Sequence, residues 1–395
     1  MRSVELFAGA GGLAMGMSRA GFRHAAVVEW DRNACETFRY NQRLHAQDVA
    51  SWPVFEGDAR SFDYCSVGEG VVLVSGGPPC QPFSMGGKAR GQQDERDMFP
   101  EAVRAVRELQ PQAFIFENVK GLMREAFAFY FEYIRLQLAY PEVVRRPTEI
   151  WQVHQARLDQ HQKSNGVVPT YKVAYRLLNA ADYGVPQRRE RVFMVGFRAD
   201  LAVDWRFPDA THIESALLRD QWITGDYWDR HKVAVKDRPN LLPHQQRRTD
   251  RLRDMPLFRA SAWATVRDAL RDLPEPTQAH DHGISNHVLN SGARSYPGHT
   301  GSPLDLPAKT LKAGDHGVPG GENMLLRPDG TVRYFTVREA ARLQTFPDDF
   351  VFRGSWSEAM RQLGNAVPVR LGETVATSVA GALKALRSRE HRQAA

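Results

Sequence analysis

The sequence predicts a protein of the α/β class, with a mostly parallel, doubly wound sheet and a second, smaller lobe. Apolar runs at 25–28, 71–74 and 113–116 have the length and composition of strands that are buried on both faces. The strand that begins at Val4 passes into a glycine turn and then into residues 13–20, which have helical periodicity. With 395 residues, 42% of them hydrophobic, the chain can bury one large core and a smaller second one.

The composition fits a polyanionic partner and a reducing compartment. Lysine and arginine number 52 against 46 acidic residues, which gives a net charge of +6. The three cysteines have no paired spacing, which argues against a disulfide framework. The chain enters a predicted strand at once, and no apolar run approaches the ~20 residues that cross a bilayer. We therefore expect a cytoplasmic protein without a membrane segment.

A glycine turn at 9–12 follows the first strand and indicates a cofactor that carries a nucleoside. Glu29 ends the second strand about twenty residues later, where an acid can hold ribose hydroxyls. Trp30 offers an aromatic face for an adenine and Asp58 a carboxylate, although an aromatic plug and a turn aspartate are the simpler interpretations. The missing third glycine disfavours a dinucleotide, but the spacing alone does not choose between NAD and S-adenosylmethionine.

Cys80 has the setting of a nucleophile. The strand at 71–74 runs into the glycines and prolines of 76–79, which can neither extend the strand nor start a helix at the thiol. A lone thiol on a stiff turn at the carboxyl edge of a parallel sheet is placed for covalent catalysis. Cys35 and Cys65 lack such a setting and are interpreted as small buried hydrophobic residues.

Three charged residues at strand ends are further candidates. Glu117 leaves the apolar strand at 113–116, where we expect a raised pKa and a proton to share with a base. Arg189 and Arg191 alternate before the strand at 192–197, so they should lie on one face and bind a carboxylate, phosphate or carbonyl. Taken alone, Glu117 is more often a capping or surface residue, and the arginines are more often a solvated turn.

Five motifs occur in order along almost the whole chain. They are Phe7-Ala8-Gly9-Ala10-Gly11-Gly12, Pro78-Pro79-Cys80-Gln81, Glu117-Asn118-Val119, Gln187-Arg188-Arg189-Glu190-Arg191 and Arg361-Gln362-Leu363-Gly364-Asn365-Ala366-Val367-Pro368. In these motifs the sequence resembles the DNA (cytosine-5)-methyltransferase family of bacterial restriction-modification systems. Two positions depart from the family pattern. Glu5 stands where the family usually has Asp, with little expected effect, and Gly86 stands where some members carry a polar residue that enters the vacated base position.

The resemblance implies a Rossmann-like S-adenosylmethionine-dependent methyltransferase domain with a smaller target-recognition domain. It also implies a catalytic set in which the Cys80 thiolate adds to carbon 6 of a flipped-out cytosine while Glu117 hydrogen-bonds the ring. Arg189 is then expected to contact the cytosine carbonyl, and Arg191 to hold neighbouring groups in place. The implied cofactor shell is Phe7, Ala10, Gly11, Glu29, Trp30, Asp58, Ala59, Pro79, Met98, Asn365 and Val367.

The implied partners are double-stranded DNA and a cognate restriction endonuclease that acts on the same site, with the enzyme itself a monomer. The implied domains are 1–199 for catalysis and cofactor binding, 200–343 for target recognition, and 344–395 as the return to the catalytic domain. The middle region is rich in proline and carries a basic cluster and a glycine-rich loop at 313–321. The basic cluster consists of Arg247, Arg248, Arg251 and Arg253.

Three further segments lie outside these motifs. Residues 142–169 form an unusually long connection for the family, interpreted as an inserted surface element that either flanks DNA or is a solvated charged helix. The histidines at 280, 282 and 287 have no accompanying cysteine and fit no metal spacing, so we expect no metal. Residues 387–395 are expected to be disordered.

Two alternatives compete with DNA methylation. One is a tRNA cytosine-5 methyltransferase, against which stand the sizeable recognition region and the absence of the Cys-Phe-Thr signature of that branch. The other is a non-catalytic DNA-binding relative, against which stand intact Cys80 and Glu117 and the paired arginines. A labelled-methyl assay on duplex DNA and on tRNA separates all three.

Overall fold

The computed structural model describes residues 1–79, 97–241, 243–253, 255–256, 258–279, 283–297, 299–313 and 323–394. The chain forms two compact units, each made of separate stretches of sequence. The first contains Met1–Leu178, Glu190–Pro208 and Gly372–Ala395, and the second contains Asn179–Arg189 and Asp209–Leu371. The functional division at 199/200 and 343/344 remains a prediction.

The elements alternate between strands and helices in the first part of the chain and are shorter in the middle. The strands are β1 Arg2–Leu6, β2 Arg23–Glu29, β3 Val54–Glu56, β4 Val71–Gly76, β5 Ala113–Val119, β6 Tyr171–Asn179, β7 Glu190–Arg198, β8 His212–Ile213, β9 Ser261–Ala262, β10 Ser302–Pro303, β11 Met324–Leu326 and β12 Val332–Tyr334. The helices are α1 Gly12–Arg19, α2 Arg32–Arg43, α3 Phe99–Leu109, α4 Ala128–Ala139, α5 Trp151–Lys163, α6 Glu214–Arg219, α7 Asp226–Arg230, α8 Pro243–Arg253, α9 Val266–Leu270, α10 Val337–Leu343, α11 Trp356–Asn365 and α12 Val369–Ala394.

A seven-stranded sheet with the order β3-β2-β1-β4-β5-β7-β6 forms the centre of the first unit. The strands β1 to β5 pair with their neighbours in parallel, and β7 runs antiparallel to β5. All six residues of β4 are buried, as are the first six of β5, which explains their continuous apolar runs. The predicted α/β class with a mostly parallel sheet is confirmed. The carboxyl ends of β1, β2, β4 and β5 meet at one edge, where such sheets bind ligands.

The last helix differs from the sequence expectation. Helix α12 continues to Ala394, so the predicted disorder of 387–395 is wrong over residues 387–394. The segment contains neither glycine nor proline after Gly381, and its alanine, leucine, arginine and lysine residues favour helix. The helix packs against α1, because a Cβ atom placed at Gly372 lies 3.4 Å from the Leu13 Cα atom.

The second unit contains two small sheets. The strands β10, β11 and β12 form a three-stranded sheet, and β8 pairs in parallel with β9. A compact aromatic cluster of Leu217, Tyr227 and Trp228 is buried beside them. Across the described parts of the chain, no helix is both long and apolar enough to span a membrane.

Candidate active site

Glu29 fixes the glycine turn that follows β1. Its Oε2 atom accepts a hydrogen bond of 2.6 Å from the Gly9 amide, and its Oε1 atom accepts one of 2.7 Å from the Asp31 amide. The side chain is buried, and this burial raises its pKa. Gly11 turns the chain at a φ of 81°, which favours glycine. Because a carboxylate oxygen can accept more than one hydrogen bond, Glu29 retains acceptor capacity for ribose hydroxyls.

Two other predicted cofactor residues lie at the ends of the neighbouring strands. Trp30 follows β2 and is 71% exposed, which leaves its ring face available to an adenine. Asp58 caps the short helical turn Ala59–Ser61, and its carboxylate also pairs with the Arg60 guanidinium at 2.6 Å. The hydrogen bond from Arg60 lowers the Asp58 pKa, so Asp58 is ionised at neutral pH. Ala59 is buried beneath the turn.

Glu5, which the sequence analysis noted only as a departure from the family pattern, is a further site candidate. It lies in β1, directly opposite Ser75 of β4, and its Oε2 atom accepts a hydrogen bond from the Ser75 hydroxyl. Its Oε1 atom is buried and has no hydrogen-bond partner among the described residues. Burial raises the Glu5 pKa to about 8. A buried carboxyl oxygen without a partner, just before the glycine turn, is a place where a ligand can donate a hydrogen bond.

Cys80 lies outside the described residues, as do Gly86 and the glycine-rich segment 314–322. The residues on either side of 80–96 are fixed to the first unit. Asn118 donates a hydrogen bond of 2.9 Å from Nδ2 to the Pro78 carbonyl, and the Met98 amide donates one of 3.3 Å to the Pro79 carbonyl. Asn118 is buried, and its side-chain amide holds the turn that precedes Cys80.

Glu117 and Arg191 form a buried ion pair at the end of β5. The Arg191 Nε atom lies 2.7 Å from Glu117 Oε1, and their side chains are 11% and 8% exposed. In the β5–β7 register Val119 lies opposite Arg191, which places Arg191 diagonally across from Glu117 on the same face. Burial lowers the pKa of the Arg191 guanidinium, and the interaction with Glu117 opposes this shift. A Cβ atom placed at Gly77 lies 3.3 Å from Glu117 Oε2, so the glycine leaves space beside this carboxyl group.

Arg189 is held by two backbone carbonyl groups. The residue is fully buried in the second unit, where Nη1 donates to the Leu311 carbonyl at 2.9 Å and Nη2 donates to the Gly364 carbonyl at 2.6 Å. Along this segment Arg188 and Glu190 are exposed, whereas Arg189 is buried and Arg191 is half-buried. Arg189 belongs to the second compact unit and Arg191 to the first. The contact of Arg189 with a cytosine carbonyl stays a prediction.

Within the second unit, Arg189 connects its own motif with the last motif through the Gly364 carbonyl. A Cβ atom at Gly364 falls 2.2 Å from the Ala313 amide nitrogen, so only glycine allows α11 to approach the segment around Leu311. Asn365, the last residue of α11, is exposed, and Val367 is buried two residues later. The two predicted cofactor residues from the last motif thus lie in the second unit, and the remaining nine lie in the first.

The other sequence predictions concern metal ligands, the inserted segment and the two cysteines outside the motifs. No group of three or more metal-ligating side chains occurs among the described residues. His287 is buried and hydrogen-bonds through Nδ1 and Nε2 to the Thr336 hydroxyl and the Pro274 carbonyl. Helix α5 lies within residues 142–169, the segment interpreted as an inserted surface element. Of the two cysteines outside the motif, Cys35 is buried as predicted, whereas Cys65 is exposed and the buried interpretation is wrong for it.

Comparison with known proteins identifies the family. The sequence model of the C-5 cytosine-specific DNA methylase family matches residues 1–139 and 160–381. The unmatched stretch between these ranges, 140–159, overlaps the predicted insertion at 142–169.

Two curated relatives are each 31% identical to this chain. One is the type II methyltransferase M.NgoMIV of Neisseria gonorrhoeae, with 97% of this chain and 98% of the relative covered. The other is M.Eco47II of Escherichia coli, with 98% of this chain and 80% of the relative covered.

Solved structures show the same fold. A prophage-encoded DNA modification methyltransferase of E. coli has a TM-score of 0.59 at 22% identity, with 97% of this chain and 99% of that chain covered. The S. pombe Dnmt2 methyltransferase has a TM-score of 0.55 at 17% identity, with 98% and 99% covered. The matched family model and the near full-length relatives confirm the resemblance seen in the motifs, and the chain belongs to the C-5 cytosine-specific DNA methylase family.

Proposed function

We propose that this enzyme transfers a methyl group from S-adenosylmethionine to carbon 5 of a flipped-out cytosine within a specific duplex DNA sequence, through a covalent adduct with Cys80. The observation that carries the proposal is the Glu117–Arg191 pair at the end of β5, next to the space left by Gly77. This space adjoins the turn that leads to Cys80, so a cytosine ring can meet a carboxyl group and a thiol together.

The residues divide the chemistry between them. The Cys80 thiolate forms a bond to carbon 6 of the cytosine, and the displaced electron pair becomes available at carbon 5. Glu117 hydrogen-bonds ring nitrogen 3 and the exocyclic amine, which draws charge away from the ring as the thiolate adds. Arg191 holds the Glu117 carboxyl group in position through its 2.7 Å contact. After methylation, loss of the proton from carbon 5 expels the Cys80 sulfur and restores the aromatic ring.

The first unit fits the cofactor that this chemistry requires. When bound, S-adenosylmethionine supplies an electrophilic methyl group on a sulfonium. Glu29 would hold the ribose, Trp30 would stack on the adenine, and Asp58 would accept from the adenine amine. The unpartnered Oε1 atom of Glu5 is suited to a hydrogen bond from the methionine ammonium. The first unit therefore offers an acceptor or an apolar surface to each part of the cofactor.

Covalent trapping tests the proposal. Duplex DNA that carries 5-fluorocytosine at the target should form an adduct with the enzyme, because fluorine replaces the proton that must leave. The adduct should require S-adenosylmethionine, survive denaturation and map to the peptide that contains Cys80. Cys80→Ser should bind DNA and cofactor but form no adduct, since a serine hydroxyl is far less nucleophilic than a thiolate. An adduct at Cys35 or Cys65, or efficient methylation by Cys80→Ser, would contradict the mechanism.

We also propose that the enzyme is the monomeric modification partner of a cognate restriction endonuclease. The support is its near full-length similarity to two type II methyltransferases. Residues 200–343 would select the DNA word, since Cys80, Glu117 and Arg191 all lie outside this range. Transplanting the range into a relative should move the methylated site, as read by bisulfite sequencing. The assignment would be contradicted if the chimera methylated the DNA sequence of the protein that supplies Cys80. Methyl transfer to tRNA in place of duplex DNA would also contradict it.

A further inference from the structure

The lining of a cavity of about 570 Å³ in the second unit contains more cations than carboxylates. Its walls come from the end of α7, the end of α9 with the loop that follows, and the β11–β12 hairpin. Six lysine and arginine side chains line it against three carboxylates. The cations are Arg230, Lys232, Arg267, Arg271, Arg327 and Arg333, and the carboxylates are Asp272, Glu275 and Glu339. This balance gives the cavity a positive potential that attracts an anion.

The two inner cations, Arg333 and Arg267, form ion pairs with carboxylates of the protein. Arg333 is 6% exposed, and both terminal nitrogens donate to the Glu339 carboxylate at 2.7 Å. Arg267 donates to both oxygens of Asp305, at 2.6 and 3.1 Å. These bidentate pairs are geometrically fixed and form a rigid floor for the cavity.

Of the other four cations, Arg327 pairs with Glu275, whereas the three outer ones have no such close partner. Lys232 and Arg271 are exposed, and within the described parts of the chain neither side chain makes a hydrogen bond or an ion pair. Arg230 reaches Asp268 and Asp220 only at 3.8 and 4.0 Å. Three cations thus line the same cavity without full neutralisation. These cations repel one another in the free protein, and a bound anion reduces that repulsion.

From this arrangement we infer that the cavity binds a phosphate group of the DNA backbone, with Lys232 and Arg271 as its main donors. The inference rests on the proposed function, which makes duplex DNA the substrate. Arginine and lysine contacts to phosphates position a protein on DNA without reading its sequence. The contacting residues lie outside all five sequence motifs, so the contact adds to those motifs rather than restating them.

The salt dependence of DNA binding tests the inference. Affinity for a fluorescent mixed-sequence duplex would be measured by anisotropy across a range of NaCl concentrations. The slope of log K against log salt changes by about 0.9 for each phosphate contact. Because Lys232 and Arg271 would hold one phosphate together, the double variant Lys232→Gln/Arg271→Gln should have a slope shallower by about 0.9 than the wild type. Unchanged thermal unfolding would show that this variant is folded, as expected for exposed side chains.

A matched control separates contact from net charge. Lys172→Gln/Lys384→Gln removes two exposed cations of the first unit and should leave the slope close to that of the wild type. An unchanged slope in the cavity variant, or an equal change in both double variants, would overturn the inference. A further arm uses pyrophosphate. If it stabilises the wild type but not the cavity variant while the DNA slopes agree, the cavity serves a free phosphate ligand and the DNA assignment is wrong.

The proposed function is tested separately from this site. Wild-type enzyme that binds the duplex with the expected slope but transfers no methyl group would contradict the proposed function and leave the phosphate site intact. Enzyme that methylates DNA normally, with equal slopes in the wild type and the cavity variant, would overturn the site alone.

Discussion

Arg189 and Arg191 are two residues apart in sequence but serve two regions of the molecule in different ways. In the second unit, Arg189 is fully buried and donates to the backbone carbonyls of Leu311 and Gly364. In the first unit, Arg191 is also almost buried but pairs with the carboxyl group of Glu117 at a strand end. Burial is therefore not what distinguishes them. They differ in their partners, which are backbone carbonyls for Arg189 and a side-chain carboxyl group beside Gly77 for Arg191.

The largest expected effect is on catalysis, from Glu117→Gln. The amide oxygen still accepts from Arg191, so folding should be nearly preserved, but the acidic proton that activates the ring is lost. We expect the initial rate of methyl transfer to fall by about 10² to 10⁴. The measurement is labelled-methyl incorporation into duplex DNA, with thermal unfolding as the control. A rate within a few fold of the wild type would place Glu117 with Arg189 among the structural residues.

The next effect is on stability, from Arg189→Met. The substitution leaves the Leu311 and Gly364 carbonyls buried without these donors, at a cost of about 1–3 kcal/mol for each group. Urea unfolding should show this loss. The exposed neighbour provides the matched control, because Arg188→Met should change the free energy of unfolding by no more than about 0.5 kcal/mol. Equal stability of the two variants would contradict the structural role.

A third effect is on the pH dependence of stability, through Glu5. Burial raises its pKa from 4.5 to about 8, so the folded state keeps a proton that the unfolded chain loses. This contribution is complete below pH 4.5 and is lost as the pH rises through 8. Burial lowers the pKa of His24 from 6.5 to about 4, which gives stability that rises with pH over that interval. The two trends oppose each other below pH 6.5, so the contribution of Glu5 is clearest between pH 6.5 and 8.

Within that window, the free energy of unfolding contributed by Glu5 should decline by about 1.4 kcal/mol per pH unit. Glu5→Gln removes the titrating group, so its unfolding free energy should decline less steeply than that of the wild type. Urea titrations of both proteins at pH 6.5, 7, 7.5 and 8 measure the difference. Parallel curves would show that Glu5 does not carry this proton.

The smallest expected effect is on the salt dependence of DNA binding, where arginines of α8 with and without an ion-pair partner should differ. Arg248 is bound to Glu214 at 2.9 Å, whereas Arg247 and Arg251 make no ion pair among the described residues. Arg247→Gln/Arg251→Gln should therefore make the salt slope of DNA binding shallower by up to about 1.8. Arg248→Gln should have little effect, because its charge is already neutralised. A larger change from Arg248→Gln would mean that DNA displaces Glu214.

The fold was predictable where the sequence signal is local. The continuous apolar runs at 71–74 and 113–116 indicated buried strands, and β4 and β5 occupy central positions in the sheet. The direction of β7 was not predictable, because an apolar strand reads the same whether its neighbour is parallel or antiparallel. The pairing of Glu5 with Ser75 depends on the register of two strands that lie far apart in sequence.

The sequence predicted which residues belong to the candidate site, but not which groups they contact. The strand-end position of Glu117 was visible from the apolar residues before it, and its burial follows from them. The alternation of Arg189 and Arg191 predicted one shared face. Periodicity could not predict that the chain passes between compact units at residues 189/190, so that the two guanidinium groups have partners in different units. The partners of Arg189 are backbone carbonyls more than a hundred residues away in sequence. No pattern of side chains in the sequence predicts such contacts.

The placement of β7 between β5 and β6 also matters while the protein is being made. Synthesis of β5 is complete at residue 119. Its partner β7 begins only at residue 190, after residues 120–189 have been added. Throughout that interval the nascent chain carries an apolar strand with one unpaired edge, the type of surface that promotes aggregation. Truncated products that end between residues 120 and 189 should therefore aggregate, and boundaries for expression should fall after β7.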